Sequence, residues 1–179
     1  MKKASANDLM NVMQYYVAVT TLSSSTLRNQ GASGVIRSAR QFLAALDLTA
    51  FSAAERALFE GRLDQCTGNL VEALPESARH WGSARKALNL FLREALYNRY
   101  LCEAFHLDAL EPWLEVPLDS VVAHGLKALS PRGSLPQWTG LKGLTKDRSD
   151  PFQLRAQQIA DDWGIARVHL DAYLWPQYR

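Results

Sequence analysis

Residues 79–105 read RHWGSARKALNLFLREALYNRYLCEAF. Apolar residues recur through this stretch with the period of a helix and do not alternate as in a strand. It predicts the longest helix of the chain, over 83–105, and it sets the fold class, because the segments on either side follow the same rule. A first helix is expected over 7–22, with Leu9, Met10, Met13, Val17 and Val19 apolar. SSSTLRNQGASG, 23–34, is a turn-rich break. GVIRSARQFLAALDL, 34–48, places Val35, Ile36, Ala39, Phe42 and Leu43 on one helical face. FSAAERALFEGRLDQCTGNLVEAL, 51–74, opens on a capping-box pattern, with Ser52 followed three residues later by Glu55. Short helices are expected over 118–129 and 134–140, then a final pair over 151–163 and 166–174.

The breaks are Gly, Pro and Ser turns of a few residues, as in a compact α-bundle. There is no repeat at a fixed period and no low-complexity linker. The expected fold is all-α, with helix content above about half against the ~30–35% of an average globular protein. Seven or eight helices would form one domain over 1–179, in two cooperating lobes.

Composition narrows the function classes. The chain has 179 residues, 47% hydrophobic and 21% charged, with a formal net charge of +2, and a pI near 8.6. That mild basicity permits a nucleic-acid partner without requiring one. The start, MKKASANDLMNVMQYY, has two lysines but no sustained apolar run, so a signal peptide is not expected. No run approaches the ~18–20 apolar residues of a membrane span. A cytoplasmic monomer with no membrane contact is the expectation. Cys66 and Cys102 form no CxxC pair, and His106, His124 and His169 lack ligand spacing, so neither a metal nor another cofactor is expected. No Walker A, G-x-G-x-x-G or G-x-S-x-G sequence occurs.

Three places carry unusual residues. Arg85 and Lys86 fall in the first turns of the long helix, where cations oppose the macrodipole at a cost of about 0.3–1 kcal/mol. They are either solvated or used: with Gly82, Ser83 and the backbone N–H groups they could hold a phosphate, and a lysine amine there is a candidate nucleophile. In EVPLDSVVAHGL, 115–126, Asp119 follows Pro117 at a helix start, where it either caps the helix or does chemistry. In RVHLDAYLWPQYR, 167–179, Asp171 and Trp175 are four residues apart and share a helical face. A docked C-terminal helix accounts for Leu170 and Leu174 but not for Asp171. TGLKGLTKDRSD, 139–150, offers Lys142, Lys146 and Arg148 in a Gly-rich turn region that could face phosphates or solvent. Arg93 and Arg132 are further candidates, and Trp81 beside His80 could sit at a cleft.

In this order, Lys86 in GSARKAL, Asp119 in VPLDSVVAH and Asp171 with Trp175 in HLDAYLW resemble the helix-hairpin-helix DNA glycosylase superfamily, and most closely its archaeal 8-oxoguanine glycosylase branch. The gap of 33 residues between Lys86 and Asp119 is close to that branch. The resemblance spans about 80–175. It departs from the superfamily in three ways: ESARHWGSARK replaces the Leu-Pro-Gly-Val-Gly-x-Lys hairpin, LDSVVAH replaces Val-Asp-Thr-His-Val, and there is no four-cysteine cluster.

The resemblance implies an enzyme that flips a modified base out of double-stranded DNA and cleaves its N-glycosidic bond. The base would be an oxidised purine such as 8-oxoguanine or a hypermodified phage base. Bacterial proteins of this general type include antiphage glycosylases, so the role implied is repair or defence. Lys86 would be the nucleophile, with lyase activity through a Schiff base, and Asp119 the catalytic carboxylate. Asp171, Trp175 and Trp81 would contact the base. Gly82, Ser83, Arg85, Lys142, Lys146 and Arg148 would grip DNA. Two other classes stay open: a helical DNA-binding protein without catalysis, and a protein-interaction bundle. What separates them is whether Lys86 and Asp119 meet in one cleft with Trp175 at its wall.

Overall fold

The structure, a computed structural model, describes residues 6–23, 26–27, 33–52 and 55–178. About three-quarters of these are helical and none lies in a strand. The α-helices are α1 (Ala6–Thr21), α2 (Val35–Ala44), α3 (Arg56–Ala73), α4 (Trp81–Tyr97), α5 (Arg99–Phe105), α6 (Ser120–Ala128), α7 (Lys146–Trp163) and α8 (Leu170–Tyr178), with short 3-10 turns between them. None of the described helices is long and apolar enough to cross a membrane.

Two hydrophobic cores form. The first is built from α1 to α5 and the turns Leu48–Phe51 and Leu107–Trp113, around the fully buried Phe51, Phe59, Phe91, Leu63 and Leu88. The second gathers Val116, Leu118, Val122, Leu126, Phe152, Ile159, Leu170 and Leu174 from the remaining elements. The helix α4 belongs to both: Leu88, Phe91 and Leu92 enter the first core, and Trp81 packs on the second. Twelve of its seventeen residues are buried, so α4 is the central helix and only a narrow stripe of it can face a cleft.

The chain crosses between the cores at 113–118, and three polar side chains fix the crossing. Arg167 donates to the carbonyls of Leu114 (3.0 Å) and Trp113 (2.9 Å). Gln153 pairs with Val116 in both directions, at 3.1 and 2.9 Å. Arg85 holds Glu115 by two hydrogen bonds, at 2.8 and 3.0 Å. Buried backbone groups must find partners, and here side chains supply them where the helices cannot.

Several boundaries differ from the sequence reading, each for a local reason. The helix expected over 83–105 is split at Asn98, which closes α4 and caps α5 by accepting from Leu101 N–H (3.1 Å). Short amide side chains compete for backbone partners in this way. The Ser52–Glu55 box does not form. The helix α3 starts at Arg56, Glu55 makes no capping hydrogen bond, and Ser52 closes the preceding turn. Residues 53 and 54, and most of the 23–34 break, lie outside the described residues.

No helix forms over 134–140. Pro136 biases the preceding residue away from helical angles, and Gly133 and Gly140 adopt positive φ. The helix expected from Pro151 begins five residues earlier at Lys146, with Asp147 favourably placed in its first turn. Lys146 and Arg148 therefore stand on a helix and not in a loop. The 166–174 segment is a 3-10 turn, Arg167–His169, leading into α8. Both cysteines are free thiols, and burial pushes the Cys66 thiol up.

Candidate active site

Lys86, Leu90, Arg93 and Tyr97 sit at i, i+4, i+7 and i+11 of α4, the spacing of a single helical face. That face is one wall of a cleft of about 930 Å³ between the two cores. The other walls come from the α6 N-terminus (Pro117, Asp119), the 138–142 segment (Trp138, Lys142) and the start of α8 (Asp171, Trp175).

Asp119 performs two tasks with its two oxygens. Oδ1 accepts from the backbone N–H groups of Val121 (2.9 Å) and Val122 (3.0 Å), which caps α6. Oδ2 accepts from Lys86 Nζ at 3.2 Å. The cap fixes the carboxylate, and the fixed carboxylate positions the amine. Both side chains are mostly buried, at 10% and 17% exposure, and both line the cleft.

A second ion pair lies along the same wall. Arg93 donates through Nη1 to Asp171 Oδ2, and its Nε and Nη2 reach Glu94 Oε1 at 3.0 and 2.6 Å. Burial pushes the Asp171 carboxyl above the ordinary range. The Arg93 guanidinium pulls it part of the way back, while Asp119 adds to the rise. Burial alone would lower Arg93, but Asp171 and Glu94 together hold it above its ordinary value. Trp175 is one turn beyond Asp171 on α8 and is 39% exposed.

At the end of the stripe, the Tyr97 hydroxyl meets His169 Nδ1 at 2.7 Å, and His169 Nε2 meets Glu111 Oε1 at 2.5 Å. The Tyr97 and His169 rings stack, with centroids 5.6 Å apart. Across the cleft Trp138 stands edge-on to Phe152.

The residues singled out in the sequence fall into two groups. Lys86, Arg93, Asp119, Asp171, Trp175 and Lys142 share the cleft. The others stand elsewhere. Arg85 is 4% exposed and is engaged by Glu115, by Asp64 (2.8 Å) and by Thr67 (2.8 Å), with its guanidinium over Trp81. It is a buried structural cation and offers no surface to a phosphate. Gly82 and Ser83 are also buried. A Cβ on Gly82 would lie 2.4 Å from the Leu141 carbonyl oxygen, so this glycine lets the 141–143 turn close onto α4. Trp81 is half-buried on the second core and does not line the cleft. Lys146 is half-exposed and pairs with Asp64 at 3.1 Å. Arg148 is exposed and donates to Thr139 Oγ1 and the Gly143 carbonyl, at 3.1 and 3.2 Å.

The sequence reading left Arg93 as one phosphate candidate among several and missed Leu90, Tyr97 and Trp138. The seven-residue step from Lys86 was the available signal for Arg93, since it returns to the same face after two turns. Set against family models, curated proteins and solved structures, the chain matches none of them.

Proposed function

We propose that this chain is a DNA glycosylase of the two-lobed helix-hairpin-helix type, acting on a modified base flipped out of duplex DNA. The observation that carries the reading is the 3.2 Å contact between Lys86 Nζ and Asp119 Oδ2 in the wall of an open cleft. A purely structural lysine has no need to face a cleft, and a purely structural cap uses only the Oδ1 side of Asp119.

The chemistry follows from these groups. With its amine neutral, Lys86 attacks C1′ of the deoxyribose, and the electron pair of the N-glycosidic bond leaves with the base. Asp119 offsets the positive charge that develops on the sugar and accepts a proton from the amine, which can then pass to the departing base. Opening of the C1′–O4′ bond gives a Schiff base. Loss of a C2′ proton from it expels the 3′ phosphate and cuts the strand. Trp175 offers a face on which a base can stack, worth about 1–3 kcal/mol by analogy with single-strand binders. Asp171 can accept from base N–H donors through Oδ1. Lys142, with Lys146 and Arg148 in the first turn of α7, supplies cations for backbone phosphates.

The cleft volume of about 930 Å³ is at the upper end of the range for small-molecule sites. It accommodates an oxidised purine or a base with a bulky substituent. The test is a panel of duplexes, each with one modified base, scored for base release and strand cleavage, with Lys86→Gln as control. Release from one member by the wild type and not by the variant is expected. No release from any member would remove the reading.

A further inference from the structure

Three side chains that the proposed chemistry leaves unused form a chain that ends in the cleft. The Tyr97 hydroxyl meets His169 Nδ1 at 2.7 Å, and His169 Nε2 meets Glu111 Oε1 at 2.5 Å. They come from α4, from the 3-10 turn Arg167–His169 and from the 3-10 turn Leu107–Trp113. Of the three only Tyr97 lines the cleft, and His169 and Glu111 stand behind it. Tyr97 is half-exposed, and its ring stacks on His169. Polar contacts this open to water add little to stability. What the chain does is orient one hydroxyl.

The hydrogen bonds fix the polarity of that hydroxyl. A carboxylate only accepts, so His169 Nε2 carries a proton for Glu111. In the neutral ring Nδ1 is then the accepting nitrogen, and Tyr97 donates its O–H to it. Burial pushes the Tyr97 hydroxyl above its ordinary value, against the pull of Arg93, so the phenol keeps that proton. With its hydrogen turned to His169, the Tyr97 oxygen presents only an acceptor to the cleft.

Its place along α4 says what it meets. Asp171 joins α4 at Arg93, two turns from Lys86, and Tyr97 lies one turn further, about 6 Å. Lys86 and Tyr97 are about 16 Å apart along the helix, more than the length of any unmodified base measured from its glycosidic nitrogen. A base with its sugar at Lys86 and its edge at Asp171 stops short of Tyr97.

We propose that the cleft takes a base carrying a flexible arm on the edge away from the sugar, ending in a hydroxyl that donates to Tyr97. Tyr97 selects the arm, and His169 and Glu111 are positioning residues that act through it. This rests on the reading of the cleft as a pocket for a flipped base. An oxidised purine without an arm leaves the Tyr97 oxygen to water.

The test is binding to duplexes with one central modified nucleotide. Each carries a 2′-fluoro sugar, which resists loss of the base, so affinity is read without turnover. Two series are compared, armed at the exocyclic amine of cytosine or of adenine. Each arm, about three carbons long to cross the one-turn gap, ends in a hydroxyl or in its methyl ether. The ether only accepts, so it cannot pair with an oxygen that only accepts. In at least one series the wild type should bind the hydroxyl arm about five- to tenfold more tightly, the worth of one hydrogen bond. Y97F keeps the ring and removes the oxygen, and its ratio should fall to about one. H169F keeps a stacked ring and frees the Tyr97 O–H to donate, so the ether should gain and the ratio should fall likewise. A merely structural role would weaken both arms alike and leave the ratio unchanged.

A wild-type ratio near one in both series, or a ratio that survives in Y97F, overturns the proposal. The nitrogen NMR shifts of the His169 ring at mildly alkaline pH give a check that needs no variant. A proton on Nε2 and none on Nδ1 is expected, and a proton on Nδ1 overturns the proposal. Binding and base release are separate readouts. A failed duplex panel with the ratio intact removes the glycosylase and leaves the armed base as ligand. Release of an armless base with a ratio near one removes this proposal alone.

Discussion

Arg85 and Lys86 are neighbours in sequence and both are cations near the start of α4, yet they have opposite fates. One residue along an α-helix is a rotation of about 100°. That rotation turns Arg85 into the seam between α3, α4 and the crossing segment, and Lys86 into the cleft. Arg85 uses hydrogen bonds from all three guanidinium nitrogens on Glu115, Asp64 and Thr67, and Asn89 supports Glu115 from one turn further on at 2.8 Å. Lys86 has one described partner, Asp119 Oδ2. A charge with four of its five N–H donors engaged by the protein is fixed as architecture. A charge with one partner and an open side remains available for chemistry.

The comparison can be broken by exchanging the losses. Arg85→Ala should be the most damaging change to stability, about 3–5 kcal/mol, because it leaves the mostly buried Glu115 without its counter-charge. Chemical denaturation of the variant checks this, and a cost below about 1 kcal/mol would make Arg85 a surface-like cation after all. Lys86→Gln should behave in the opposite way. Its stability cost should be smaller, about 1–3 kcal/mol, since Asp119 loses one partner but keeps its two cap hydrogen bonds and borders the open cleft. In the same variant, borohydride trapping of a protein–DNA adduct should disappear entirely. Trapping at the wild-type level would take Lys86 out of the mechanism.

A smaller effect is expected from Lys142, Lys146 and Arg148 changed together to Ala. Two of the three are committed in part to protein partners, Asp64 and Gly143. The triple change should weaken binding to any duplex and flatten its salt dependence, because fewer counterions are released. An unaltered salt slope would place DNA on another face.

How much of this could be read from sequence differs between the two neighbours. Helical periodicity was sufficient for the all-α architecture, because core-facing residues must recur at 3.6, but not for α4 as the longest helix: its 17 residues are fewer than the 18 of α3 and of α7. It was blind to Asn98, whose side chain satisfies the backbone at a break that apolar spacing does not mark. It also misplaced the start of α7, since Pro151 reads as a helix opening but lies inside the helix. The cap role of Asp119 was legible from its place after Pro117. Its meeting with Lys86, 33 residues away, was not a matter of spacing, and only the resemblance suggested it. Arg85 was misjudged as a phosphate ligand because its partners, Asp64 and Glu115, are 21 and 30 residues distant. Nothing local distinguishes it from Lys86.

The central claim is that Asp119 serves chemistry with one oxygen while it caps a helix with the other. Asp119→Asn tests it most directly, because asparagine caps nearly as well but cannot accept a proton or balance charge on the sugar. On a duplex that the wild type processes, the single-turnover rate of base release should fall by about 10²-fold or more, with the melting temperature nearly unchanged and DNA affinity equal or tighter. A retained rate with a lowered melting temperature would contradict the account and leave Asp119 a cap alone.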